Sequence, residues 1–296
     1  MNVSNNNKAP RKLDNARFVR RFDKNALYSI LILSMIFMAF FTVILFLDVR
    51  EMEKGKEFYS MVSIDFVISP VISLGNELNT KHDYDSQVKE EPFIEEKGEE
   101  EEILFTPFVD FDMMREQFPD IIAWIQSEGA GINYPVVQGI DNEFYLYRLP
   151  DKSRNQMGSI FLDYHNSADF SDGNIFIYGH NVRSKDMFGM LLHYVNQEYF
   201  ELYPSIFIFT PEQNLSIMLF AGYLLDSAYE VPPMYFVDSE DFDAYIADIS
   251  SRSTFKSPIQ ISYGDRLVFL CTCPNVGSKS ERFVIVGIAN ALEKRD

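Results

Sequence analysis

Cysteine is nearly absent: Cys271 and Cys273 are the two in 296 residues. With one residue between them on an extended run, a disulfide would close a very tight ring in poor geometry. A lone C-x-C without a second cysteine pair, and four histidines with no H-x-x-x-H spacing, fall short of a four-ligand metal set. The sequence therefore points to neither a metal nor a cofactor. Basic residues are outnumbered, 26 against 44 acidic, for a net charge of −18. That excludes a nucleic-acid binder, which needs a basic face against phosphates. No internal repeat is visible. Apolar residues, by contrast, make up 47 %, with 27 Phe and 16 Tyr, which excludes a largely disordered chain and leaves ample core for one or two domains.

Charge is missing altogether from Ala26 to Leu47, ALYSILILSMIFMAFFTVILFL, a run of 22 residues. As a helix it would reach about 33 Å, enough for a hydrocarbon core of roughly 30 Å. The run is longer than the apolar part of a cleavable signal peptide, and it ends in Asp48-Val49-Arg50-Glu51 in place of a small-residue cleavage site. An uncleaved transmembrane anchor at 26–47 is the reading. Before it, residues 1–25 carry Lys8, Arg11, Lys12, Arg17, Arg20, Arg21 and Lys24 against Asp14 and Asp23. Such a basic tail stays cytoplasmic, which puts everything after the anchor outside the cell.

Residues 48–103 read as an extracellular linker. Its first part has weak periodicity that could continue the helix briefly, and Lys81 to Glu102 is dominated by Asp and Glu with three lysines. No alternation of Asp and Asn around a Gly suggests a calcium loop, so this is a solvated spacer. The remaining domain, 104–296, opens with DFDMMREQFPDIIAWI (110–125), whose spacing predicts two short helices broken at Pro119. Short β-like runs follow at 132–139, 158–164, 174–179, 205–210, 215–225, 258–264, 267–273 and 282–289. A short helix is predicted at 187–194 and another at 238–250, where Phe242, Tyr245, Ile246 and Ile249 recur at helical spacing. Eight short strands with few helices between them predict a mainly β (α+β) sandwich or closed barrel.

Chemistry concentrates in LVFLCTCPNVGSKSERFVIV (267–286), where two strand-like runs flank a short loop. Alternation puts Leu267, Phe269, Cys271 and Cys273 on one face. Cys273 closes its run before Pro274, where ladder pairing must stop, so it is the better placed nucleophile; Cys271, further in, reads as a small buried residue. Both being inert core cysteines is the competing reading. Pro274 has no N–H to serve as an oxyanion donor, and Arg282 is the nearest candidate in sequence. Among the histidines, His82 lies in the acidic linker, His193 in a helical pattern and His165 at a strand end. His180 leaves the run NIFIYG through Gly179, which would let the chain turn and project the imidazole into a cleft.

L-x-T-C as Leu270-Cys271-Thr272-Cys273, followed by Arg282 in R-F-V-I-V, resembles the signature of sortases, the membrane-anchored cysteine transpeptidases of Gram-positive bacteria. NIFIYGHNVRSKDMFGMLLHY (174–194), with Y-G-H and then M-F-G, is similar to the histidine segment of class B. WIQSEGAGINYPVVQGIDNEFYL (124–146) and GSIFLDYHN (158–166) resemble other class B segments, so the likeness covers about residues 105–289. It implies a closed eight-stranded sortase barrel with N-terminal helices at 110–125 and a helix at 238–250 before the cysteine strand. It also implies catalytic roles for His180, Cys273 and Arg282, without metal or cofactor. The implied activity is of peptidase class: Cys273 attacks a Thr carbonyl in a C-terminal NP-x-T-N-like or P-x-T-G-like sorting signal of a secreted protein. The thioacyl product then passes to an amine of a cell-wall precursor, a lipid II stem or cross-bridge. Asn275 departs from the family, some members of which carry an acid there. A cysteine hydrolase, a pilus-polymerising sortase and a membrane-tethered binding module are the alternatives.

Overall fold

A run with no charge gives a helix no reason to stop, and α1 (Lys24–Phe66) continues from the apolar run into the polar residues beyond it. The computed structural model describes residues 24–68, 108–127, 129–182, 186–272 and 281–292, and groups the chain into two units, 1–50 and 51–296. The acidic run 81–102, His82, Cys273 and Asn275 lie outside the described residues.

In the first unit the apolar side chains from Leu27 to Leu47 are exposed, with no core to receive them. The hydroxyls of Ser29, Ser34 and Thr42 donate to the carbonyls of Asn25, Leu31 and Met38 at 2.8–2.9 Å, so each is satisfied within the helix. Among the described residues α1 is the one helix long and apolar enough to cross a membrane.

In the second unit α1 presents Glu51, Gly55, Tyr59, Val62 and Phe66 along one face. Tyr59, Val62 and Phe66 are buried against the barrel. This corrects the sequence reading of the segment after residue 48 as the start of a linker: through Phe66 it is helical and part of the core. β1 (Val67–Ile68) pairs with β2 (Phe108–Val109), and α2 (Phe111–Gln117) is capped by Asp110, whose carboxylate accepts from the Met113 N–H at 3.0 Å.

The barrel strands are β3 (Ile121–Ser127), β4 (Ile132–Gln138), β5 (Ile160–Leu162), β6 (Asn174–Gly179), β7 (Ser205–Phe209), β8 (Asn214–Asp226), β9 (Leu267–Thr272) and β10 (Glu281–Leu292). They close in the order β10-β8-β7-β3-β4-β5-β6-β9. β4–β5 and β6–β9 are parallel and the other pairs antiparallel. Between β5 and β7 lie a 3-10 helix at Phe188–Val195 and α3 (Gln197–Leu202); α4 (Ser239–Arg252) precedes β9, capped by Asp238. An earlier 3-10 turn, Phe144–Tyr147, joins β4 to β5.

The predicted eight-stranded closed barrel is present, with two strands exchanged. Residues 121–127, read as helix, form β3; every residue of it is buried, so no polar alternation marks it as a strand. Residues 258–264, read as strand, pair with nothing: Ile259 and Ile261 do alternate inward onto Phe236 and Tyr245, yet no neighbouring strand is there to accept a ladder. Burial on both faces also explains the apolar runs near the C-terminus. Val268, Leu270, Phe283 and Ile285 fill one core, while Leu267, Phe269, Cys271, Val284 and Val286 meet Phe242 and Ile249 of α4 in another.

Candidate active site

Three strand ends meet at one end of the barrel. Gly179, the last residue of β6, is in parallel register with Thr272, the last described residue of β9. Thr272 in turn accepts, through Oγ1, the N–H of Phe283 in β10 at 2.8 Å. His180 directly follows Gly179, Cys273 directly follows Thr272, and Arg282 directly precedes Phe283. The fold thus brings His180 and Arg282 to the same row; Cys273 lies outside the described residues.

His180 is half-buried, and its Nε2 is hydrogen-bonded to the Leu146 carbonyl. A carbonyl only accepts, so Nε2 carries the proton and Nδ1 is the basic nitrogen of the neutral ring. The Tyr147 ring lies 5.3 Å from the imidazole, tilted by 43°. Burial pulls the His180 pKa below its ordinary value, and the Leu146 carbonyl opposes this less strongly. On the other side, the His180 carbonyl accepts the Phe188 N–H at 3.0 Å, which closes the loop that follows β6. Gly179 does not turn the chain as the sequence suggested. It is the end of the strand, and its missing side chain leaves room for Phe188, whose ring would stand 2.7 Å from an added Cβ.

Arg282 is half-buried at the start of β10, opposite Leu225 of β8. Its Nε is buried and has no hydrogen-bond partner among the described residues. A buried donor without an acceptor is costly, and it suits a position where a ligand oxygen completes the pairing. Nearby Tyr178 donates to Asp163 Oδ2 at 3.0 Å. Burial raises the phenol pKa of Tyr178, Cys271 and Asp163 add to the rise, and Arg282 opposes it, so the guanidinium acts on this end of β6.

Cys271 is 3 % exposed beneath α4, the small core residue that its place in the strand predicts. His165 is bound to Asp163 at 2.9 Å with its side chain 58 % exposed, and His193 lies 5.2 Å from the Tyr199 ring in the second 3-10 helix. Neither belongs to the row. Sequence reasoning missed Leu146, Tyr147 and Gly158. A backbone carbonyl carries no residue signature, so Leu146 left no trace to find. Gly158 has φ +60°, and a Cβ there would stand 2.1 Å from the Leu146 carbonyl oxygen and 2.9 Å from His180 Cδ2. Only glycine fits.

No family model matches the chain. Sortase B of Listeria monocytogenes is 30 % identical over 154 residues, 52 % of this chain; the match spans 63 % of the Listeria protein, less than two thirds of its length. The Staphylococcus aureus sortase B–substrate complex is 26 % identical with a TM-score of 0.59, covering 62 % of this chain and 85 % of that one. A mutant form of Clostridium perfringens sortase B is 31 % identical with a TM-score of 0.55, covering 60 % of this chain and 85 % of that one. Both the sequence likeness and the eight-stranded barrel that carries it lead to one conclusion: the chain belongs to the class B sortases.

Proposed function

We propose that this chain is a membrane-anchored cysteine transpeptidase that cuts the C-terminal sorting signal of a secreted protein and joins it to an amine of a cell-wall precursor. The observation that carries the reading is the row Gly179–Thr272–Phe283, which sets the positions of His180, Cys273 and Arg282 one residue beyond three adjoining strands. The Cys273 thiol gives its proton to Nδ1 of His180, and the thiolate attacks the Thr carbonyl carbon. Charge then develops on the carbonyl oxygen beside Arg282, whose unpaired Nε is a ready donor. The C–N bond breaks, the imidazolium gives its proton to the leaving amine, and a thioester remains. An incoming amine repeats the sequence in reverse order, with His180 taking its proton as Sγ leaves. Sortase B of S. aureus has been solved with a substrate, and this supports a peptide signal as the ligand of the same barrel end here.

The basic tail keeps the N-terminus inside, α1 crosses, and the barrel unit acts on the outer face, where substrate and acceptor are both held. The test uses the full chain in detergent micelles with a panel of NP-x-T-N-like and P-x-T-G-like peptides, with and without an added amine, read by mass spectrometry. Wild type and Cys271→Ala should form the thioester and, with amine, the ligated product; Cys273→Ala should form neither. Thioester on Cys271, or hydrolysis alone in the presence of excess amine, would overturn the proposal.

A further inference from the structure

The face that α1 turns toward the barrel is built against the two loops that hold His180. Glu51 accepts twice from one of them, through its carbonyl from Asn155 Nδ2 at 2.8 Å and through Oε1 from the Gln156 N–H at 3.0 Å. One turn on, Gly55 lets the helix approach closely: a Cβ there would stand 2.5 Å from Met157 Sδ and 2.9 Å from Asn155 Oδ1. After a further turn, the Tyr59 hydroxyl, 2.5 Å from the Gly158 carbonyl, donates to it. On the other loop, Lys56 pairs with Asp186 at 2.7 Å, and the Tyr59 ring meets Tyr134 edge-on at 5.3 Å. The Tyr134 hydroxyl accepts the Met187 N–H at 3.1 Å, next to Phe188, whose N–H is bound to the His180 carbonyl.

These contacts converge on Gly158. Its Cα packs against the Leu146 carbonyl that accepts from His180 Nε2 and against the imidazole edge itself, while its own carbonyl is fixed from behind by Tyr59. The 155–159 loop is also laced to the 144–148 turn: Asn155 N donates to the Tyr147 carbonyl at 3.1 Å, Ser159 N to the Tyr145 carbonyl at 2.9 Å and Ser159 Oγ to the Arg148 carbonyl at 2.7 Å. A shift of Gly158 is therefore a shift of the carbonyl that selects the ring's tautomer.

We propose that Tyr59 is a positioning residue for His180: by pinning the Gly158 carbonyl from α1 it keeps the Leu146 carbonyl on Nε2, so that Nδ1 is the nitrogen offered to the thiol. The inference rests on the reading of His180 as the proton carrier, and it makes the helix that leaves the apolar segment part of the site's support. Tyr59→Phe removes one hydroxyl and keeps the ring packing. Val62→Ala, on the same face, removes core volume without touching either loop and serves as the control.

Both variants are made in the full chain in micelles with 15N-labelled histidine, the His180 ring signals being assigned by His180→Gln. Wild type should show one tautomer with the proton on Nε2. Tyr59→Phe should show both tautomers, and kcat for peptide transfer should fall about ten- to a hundredfold with KM little changed, as expected when a reacting group is slightly misplaced. Val62→Ala should lower the Tm and leave ring signals and kcat as in wild type. Wild-type ring signals in Tyr59→Phe, or the same tautomer mixture in Val62→Ala, would overturn the inference. The reading beneath it is judged separately: if His180→Gln retains peptide transfer, His180 is not the proton carrier, whatever the ring signals of Tyr59→Phe show.

Discussion

His180 is where burial and chemistry pull against each other. Taking an imidazole partly out of water penalises its charged form, so its pKa in the folded chain lies below the value of about 6.5 that it has when unfolded. Between those two values the unfolded chain binds a proton that the folded chain does not. Stability from this residue is thus fully present above about pH 6.5 and is lost as the pH falls toward the folded-state pKa. Replacing His180 by Gln should remove that component, so the gap in urea midpoint between wild type and His180→Gln should shrink as the pH is lowered from about 7.5 to about 5. A gap that widened toward acid would mean that the ring is charged and paired in the folded protein. Neutral His180 also fits the order of events proposed above, since a ring that begins without a proton on Nδ1 is ready to receive one from a thiol.

At the scale of elements, legibility followed exposure. Strands β6, β7 and β10 were readable because β-rich runs were bounded by turn residues, and α4 because Asp238 and an acidic first turn precede a 3.6-residue apolar pattern. β3 was not, because burial on both faces erases the alternation that separates strand from helix. The last turns of α1 went unread for another reason: a face made of Glu51, Gly55, Tyr59, Val62 and Phe66 mixes an acid and a glycine among its contacts, and apolar periodicity cannot count either. The candidate site was legible where side chains carry the chemistry, at His180 and Arg282, and illegible where a carbonyl and a missing Cβ do. A fragment beginning at residue 104, where the sequence set the domain boundary, discards this helical face. Burying Tyr59, Val62 and Phe66 contributes roughly 1.5–3 kcal/mol each. The fragment should therefore be less stable than one beginning at Glu51 by on the order of 5 kcal/mol, seen as a lower urea midpoint. Equal midpoints would show that α1 adds little to the second unit.

For the whole molecule, the proposed topology gives a direct expectation. In intact cells an added protease should cut exposed sites of the barrel unit and leave a tag at the N-terminus untouched, and both should be cut once the membrane is permeabilised. Loss of the N-terminal tag from intact cells would reverse the orientation. The order in which the barrel is assembled has its own effect. β6 comes from residues 174–179, whereas the parallel strand beside it comes from 267–272 and the one beyond from 281–292. Pairings between segments so distant in sequence form late, because loop closure must come first. A chain being threaded across a membrane in order of synthesis holds its histidine long before the strands of the thiol and the guanidinium arrive, so it is inert toward the other secreted proteins that share its route and becomes competent only on arrival.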